Sequence, residues 1–385
     1  MTAAKPAVRP ARPFFSSGPC AKRPGWTPQV LDKAILGRSH RGKPGLKRIQ
    51  EALALTRRVL EIPESHRIAI VPASDTGAVE MALWSMLGSR PVDVLAWESF
   101  GIDWAEDVVK QLKIKDARVL KAPYGRLPDL SEVNPADDVV FAWNGTTSGV
   151  RVPDGEWISA TRAGLTICDA TSAAFVMELP WEKLDVTTFS WQKALGGEAA
   201  HGMIVLSPRA VERLETYTPP RPLPKIFRMA KDGKLIEGLF RGETLNTPSM
   251  LCVEDWLDTL KWAEGAGGVK GLKARALANF APLERFVLAS SWLGFLAEEA
   301  STRSTTSVCL SFKEEWFKAL SPEEQFAFAR KVSDTLEAEH AAYDAGSHRA
   351  APAGLRIWCG ATVERNDVET LLPWLDWAYQ NARAA

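Results

Sequence analysis

The chain has 385 residues, 46% of them hydrophobic, which is apolar material for two packed domains rather than one simple core. Lysine plus arginine and aspartate plus glutamate each total 47, so no field of one sign steers the molecule onto nucleic acid or an anionic membrane, and neither is expected as a partner. The five cysteines, Cys20, Cys168, Cys252, Cys309 and Cys359, show no CxxC spacing and read as reduced, mostly buried thiols of a cytoplasmic protein without a metal site.

Residues 1–16 form a proline-rich, basic, extended leader that lacks the apolar stretch of a signal peptide. No run of about 18 apolar residues occurs anywhere, so membrane insertion is not expected. Residues 46–60 place Ile49, Leu53 and Leu60 on one face of an amphipathic helix. Short β-type runs follow at 68–71, 92–97, 139–143, 165–168 and 186–190, several of them separated by stretches of helical character. That alternation predicts an α/β domain with a largely parallel sheet. Ligands of such sheets sit beyond the carboxyl ends of the strands. Polar clusters follow those ends: Ser74-Asp75-Thr76, Phe100, Asn144 to Thr147, Asp169 to Ser172, and Gln192-Lys193. One site can gather all five.

Residues 202–206 read as a further strand. Three glycines within 265–268 mark the expected boundary between a large domain, 17–264, and a smaller C-terminal α+β domain, 265–385. The small domain is expected to contain a helix at 272–288, a strand near 306–312, a helix at 322–340, a strand at 355–359 and a last helix from 364. The 15 tryptophans are scattered and fit packing better than cofactor stacking.

Lys193 lies in Ser190-Trp191-Gln192-Lys193-Ala194-Leu195-Gly196-Gly197, at the end of a β-type run and before small residues. Alone, it fits a solvated loop lysine. About two dozen residues earlier Asp169 directly follows an apolar strand, where it fits an Asx turn or a helix N-cap. Together the two suggest pyridoxal 5′-phosphate chemistry. The lysine is the group that joins the cofactor, and the aspartate keeps the pyridine nitrogen protonated. Ser74-Asp75-Thr76-Gly77, between a strand and a helix expected at 78–87, offers backbone N–H groups and a helix dipole to a phosphate. Asp75 is assigned a backbone contact there, and the hydroxyls of Ser74 and Thr76 side-chain contacts. Phe100 can stack on the pyridine ring. Thr146 either donates to the ring's phenolic oxygen or supports Asp169.

These features resemble the phosphoserine aminotransferase family, in class V of the fold-type I pyridoxal-phosphate enzymes. The resemblance is carried by Phe15-Ser16-Ser17-Gly18-Pro19, Ser39-His40-Arg41, Gln192-Lys193, Asn246-Thr247-Pro248, His348-Arg349 and Arg356. It implies Lys193 and Asp169 as the catalytic pair, Phe100 as the stacking residue, and Ser74, Asp75, Thr76, Thr146, Gln192, Asn246 and Thr247 as further cofactor ligands. Asn246 and Thr247 are implied to come from the second subunit of a homodimer with shared sites. The family's better-known branch has an arginine in the phosphate loop and a tryptophan as stacker, where this chain has Thr76 and Phe100.

The resemblance also implies glutamate and 3-phosphohydroxypyruvate as substrates in serine biosynthesis, with a phosphorylated four-carbon keto acid of pyridoxine synthesis as a second acceptor. Arg356 is implied to clamp the α-carboxylate, Ser17 and Arg41 to contact glutamate, and His40-Arg41 with His348-Arg349 to enclose the substrate phosphate. His201 has no such support and reads as structural. A serine–glyoxylate type aminotransferase is the rival reading, since it needs no phosphate pocket. A non-catalytic scaffold that kept the fold is more remote.

Overall fold

The structure is a computed structural model describing residues 4–384. The large sheet is built from β1 (Arg67–Pro72), β2 (Val92–Ala96), β3 (Ala117–Lys121), β4 (Asp138–Ala142), β7 (Thr166–Asp169), β8 (Val186–Ser190) and β9 (His201–Leu206). A two-residue pair, β5 (Asn144–Gly145) and β6 (Val150–Arg151), forms a hairpin between β4 and β7. The strand order is β1-β9-β8-β7-β4-β2-β3. All pairs are parallel except those of β9, which runs antiparallel to both β1 and β8. The largely parallel sheet expected from the sequence is thus present, with seven strands.

Both faces of this sheet are covered, as near-continuous apolar strands require. Alternate residues of β1 feed opposite cores, Ile68 and Ile70 one, Ala69 and Val71 the other. The second face carries α2 (Ser74–Met86), α3 (Ser99–Glu106) and α4 (Pro208–Thr216). The first carries α1 (Lys43–Leu60) and α5 (Met250–Gly265), and its core continues into the C-terminal part of the chain. That part follows a small hairpin, β10 (Ala230–Lys231) with β11 (Lys234–Leu235), in chain order. It consists of an antiparallel sheet, β12 (Leu293–Phe295), β13 (Ser307–Phe312) and β14 (Gly354–Trp358), packed by α6 (Gly268–Ala289), the short α7 (Glu315–Lys318), α8 (Pro322–Ala338) and α9 (Arg365–Ala384).

The leader ties the two parts together. Pro13 O accepts from Tyr343 N at 2.8 Å and Phe15 O from Trp358 N at 2.9 Å, while Cys20 N donates to Gln192 O at 2.8 Å. Buried acids brace the opposite, amino-terminal ends of the strands. Asp138 is held by Arg213, and Asp185 by Arg162 and Arg209. No described helix is long and apolar enough to cross a membrane.

Candidate active site

The carboxyl ends of β4, β7 and β8 and the starts of α2 and α3 surround a cavity of ≈ 270 Å³. Ser74, Asp75, Thr76, Phe100, Thr146, Asp169, Gln192 and Lys193 all line it. The five polar clusters read from the sequence therefore meet in one place.

Lys193 sits in the turn after β8. The turn is anchored by Trp191, fully buried and stacked on Trp256 at 5.2 Å between ring centroids. Lys193 is only 8% exposed, and its Nζ donates to Ser17 O. A Cβ at Gly18 would stand 2.3 Å from that Nζ and would push the amine aside, and the φ of 152° at Gly18 is one that L side chains rarely adopt. Burial, reinforced by the Arg356 charge, pulls the lysine below its usual range and favours the neutral amine.

Asp169 ends β7. Its Oδ1 accepts from Thr171 N at 3.0 Å and its Oδ2 from Trp104 Nε1 at 3.2 Å. The Asx turn expected from the sequence and a place at the cavity are therefore two properties of one residue. Both donors stabilise the carboxylate form.

The start of α2 differs from expectation. The helix begins at Ser74, not near 78, and it is entered through left-handed φ values of 66° at Ala73 and 54° at Ser74. Its first helical bond is Gly77 N to Ala73 O at 3.0 Å, so the N–H groups of Ser74, Asp75 and Thr76 precede the ladder and are free for an anion. Left-handed non-glycine residues cost about 1–3 kcal/mol each and concentrate at functional sites. The Asp75 side chain does not point at this anion position. It is 6% exposed and faces Asp169.

Phe100 is on the first turn of α3, 37% exposed, with its ring 6.0 Å from that of His348. Thr146 O accepts from Ser307 Oγ at 2.7 Å, and that Oγ lies 3.2 Å from Ser17 Oγ. Gln192 Oε1 accepts from Ser190 Oγ at 2.6 Å. His201 Nε2 accepts from Ser249 N at 3.0 Å, which is a structural role.

None of the residues expected to bind substrate lines the cavity. Ser17, His348 and Arg356 adjoin lining residues. Arg356 lies on β14 opposite Cys309, and its buried Nε has no partner among the described residues. Burial and then the charges of Arg356, Arg349 and Lys193 lower the His348 pKa, while Asp103 opposes them. His40 is buried with an unpartnered Nε2, and Arg41 is exposed. Asn246 and Thr247 are exposed and do not line the cavity of this chain.

Two cavity-lining residues escape the sequence reading. Glu98, 1% exposed, caps α3 through Gly101 N at 2.9 Å and accepts from Thr147 Oγ1 at 2.7 Å. Burial pushes its pKa up to about 6. Trp104, one helical turn after Phe100, was read as packing but donates to Asp169. Its i+4 spacing from Phe100 was the available signal.

No family model matches the chain. It is 58% identical over 375 residues to a phosphoserine aminotransferase of Methanosarcina mazei, covering 97% of this chain and 99% of that protein. A phosphoserine aminotransferase of Methanosarcina barkeri is 57% identical with the same coverage. Among solved structures, a phosphoserine aminotransferase of Cytophaga hutchinsonii superposes with a TM-score of 0.80 at 21% identity, covering 94% of this chain and 98% of that one. An alanine–glyoxylate aminotransferase of Nostoc superposes with a TM-score of 0.74 at 18% identity, over 98% and 97% of the two chains. The second pair of likenesses establishes the fold, which both enzymes share, and the near-complete match to the Methanosarcina proteins decides within it: this chain belongs to the phosphoserine aminotransferase family.

Proposed function

We propose that the chain transfers an amino group from glutamate to 3-phosphohydroxypyruvate, giving 2-oxoglutarate and O-phosphoserine in two half-reactions, with pyridoxal 5′-phosphate in the cavity. The observation that carries this reading is the pairing of buried Lys193 with half-buried Asp169, lining one cavity from the ends of adjacent parallel strands. The donor set fits the cofactor: a buried amine, a carboxylate for a ring nitrogen, and unspent N–H groups at a helix start for a phosphate. Bound there, pyridoxal 5′-phosphate supplies the reactive carbonyl and the electron-accepting ring that transamination requires.

The chain's own groups then divide the work. Asp169 holds a proton at the ring nitrogen. The Nζ of Lys193 takes and returns the proton of the substrate α-carbon. The first turn of α2 and the hydroxyls of Ser74 and Thr76 bind the cofactor phosphate, Phe100 offers a flat apolar face, and Thr146 and Gln192 fix the ring's edge. Arg356 clamps the substrate α-carboxylate with its planar fork of donors. Ser17 and Arg41 orient glutamate, and His40, Arg41, His348 and Arg349 enclose the substrate phosphate. The lowered pKa of His348 reflects burial among cations, and an arriving phosphate dianion reverses the cationic part of that penalty.

Substrate phosphate separates this reading from a serine–glyoxylate type enzyme. With glutamate as donor, the purified protein is expected to prefer 3-phosphohydroxypyruvate over hydroxypyruvate and glyoxylate. Arg349→Ala removes charge-assisted hydrogen bonds worth roughly 1.5–3 kcal/mol. It should lower kcat/KM for the phosphorylated acid by about 10- to 150-fold while affecting hydroxypyruvate far less. Arg356→Ala should impair both acids and glutamate alike. Equal loss toward both keto acids on Arg349→Ala, or a wild-type preference for an unphosphorylated acid, contradicts the assignment.

The family resemblance of Asn246-Thr247-Pro248 implies a homodimer in which each chain completes its partner's site. Lys193→Ala chains mixed with Asn246→Ala chains should then recover activity, because a mixed dimer holds one intact site. Random pairing predicts roughly a quarter of wild-type specific activity. No recovery after demonstrated subunit exchange refutes shared sites.

A further inference from the structure

Asp75 presents a problem that the functional reading does not absorb. It is a carboxyl in the first turn of α2, lining the cavity beside Asp169, with both oxygens sealed from solvent and without a hydrogen-bond partner among the described residues. Gly202 on β9 packs closely against the start of α2: a Cβ there would lie 2.2 Å from Ser74 O. Two ionised carboxylates in contact inside a protein are not tolerated, so the pair must hold a proton.

The hydrogen bonds decide where it resides. Asp169 already accepts from Thr171 N and Trp104 Nε1, and both bonds favour its ionised form. No donor reaches Asp75 with full hydrogen-bond geometry; the Thr171 and Thr188 hydroxyls stand close enough to favour its ionised form, but burial and the Asp169 charge outweigh them. We propose that Asp75 is a positioning residue for Asp169: a neutral carboxylic acid that donates to it, so that the two side chains present a single, oriented negative charge to the ring nitrogen of the cofactor. This rests on the reading of Asp169 as the ring-nitrogen partner.

Burial first, and the charge of Asp169 second, push Asp75 well above the usual carboxylate range, in agreement with this placement. The other titratable groups around the pair do not reverse it. Cys168, next to Asp169 on β7, is held as a thiol by burial. Glu98 adds further negative charge near Asp169. Lys193 bears on Asp169 from the turn after β8. His201 on β9, paired with Pro72 ahead of the turn, is pulled down to about 4 by burial.

The infrared difference spectrum between the wild-type chain and Asp75→Asn, recorded without cofactor at neutral pH, should contain the carbonyl band of a protonated carboxylic acid that the variant lacks. With pyridoxal 5′-phosphate bound, the cofactor's visible absorption band is titrated with pH. Asp75→Asn keeps a neutral donor, so the apparent midpoint should stay within about half a unit of wild type. Asp75→Ala removes the donor and should weaken cofactor binding about tenfold. An absent protonated-acid band, a midpoint moved by a full unit in Asp75→Asn, or an Asp75→Ala chain with unchanged cofactor affinity overturns the proposal. If Asp75→Ala does not fold, the infrared and Asp75→Asn results decide alone. A wild-type chain that takes up no cofactor refutes the reading of the site itself, and the infrared measurement still locates the proton.

Discussion

Lys193→Ala is expected to lower kcat by at least about 10²–10⁴-fold, the range a positioned proton-transfer group contributes. Lys193 is the amine whose Nζ borders the cavity, buried and held by Ser17 O at the end of β8. Burial makes its neutral form accessible, which a base at the substrate α-carbon requires. Among the described residues Lys193 is the one lysine that lines the cavity. Steady-state assays with glutamate and 3-phosphohydroxypyruvate check the loss, and turnover within a few-fold of wild type removes Lys193 from the mechanism.

The second large effect is expected from Asp169→Ala. Without the carboxylate the ring nitrogen loses its partner, and charge stabilisation of this kind is worth about 10²–10³-fold in kcat per group removed. Cofactor affinity should fall much less, because the N–H groups at the start of α2 and the Lys193 amine remain. Separate measurement of kcat and of the cofactor dissociation constant distinguishes this from unfolding, which lowers both together. A variant that loses the cofactor but keeps full turnover when saturated places Asp169 in a binding role only.

Much of the architecture could be read directly. The strands β1, β2, β4, β7, β8 and β9 were legible because each is a short apolar run ended by small or polar residues, and in a doubly covered sheet those ends converge on the ligand. What escaped did so for physical reasons. The edge strand β3 contains Arg118 and Lys121 and so lacks an apolar run. Helix α5 buries Glu254 and Asp255, which pair with Arg48 and Lys22 across the fold, and polar residues in buried positions disguise a helical stripe. The first turn of α2 was placed late because left-handed Ala73 and Ser74 are a product of tertiary packing, not of local preference.

The site divides in the same way. Lys193 and Asp169 stood out because each follows a strand end at a spacing that one chemistry explains. Trp104 did not, because a tryptophan's indole N–H gives no sign in sequence of which carboxylate it will meet. The orientation of Asp75 was equally hidden, since it depends on how the start of α2 packs against the end of β7. Asn246, Thr247, His40 and Arg41 were readable only through family resemblance, and in a single chain they stay apart from the cavity.

The central claim is that Lys193 is the amine that joins pyridoxal 5′-phosphate in this cavity. Borohydride reduction of the cofactor-loaded wild-type protein, followed by peptide mapping, tests it most directly. The account predicts one stoichiometric pyridoxyl label, on the peptide containing Gln192 and Lys193. A label on any other lysine, or no label on a protein that shows the cofactor's visible band, contradicts it.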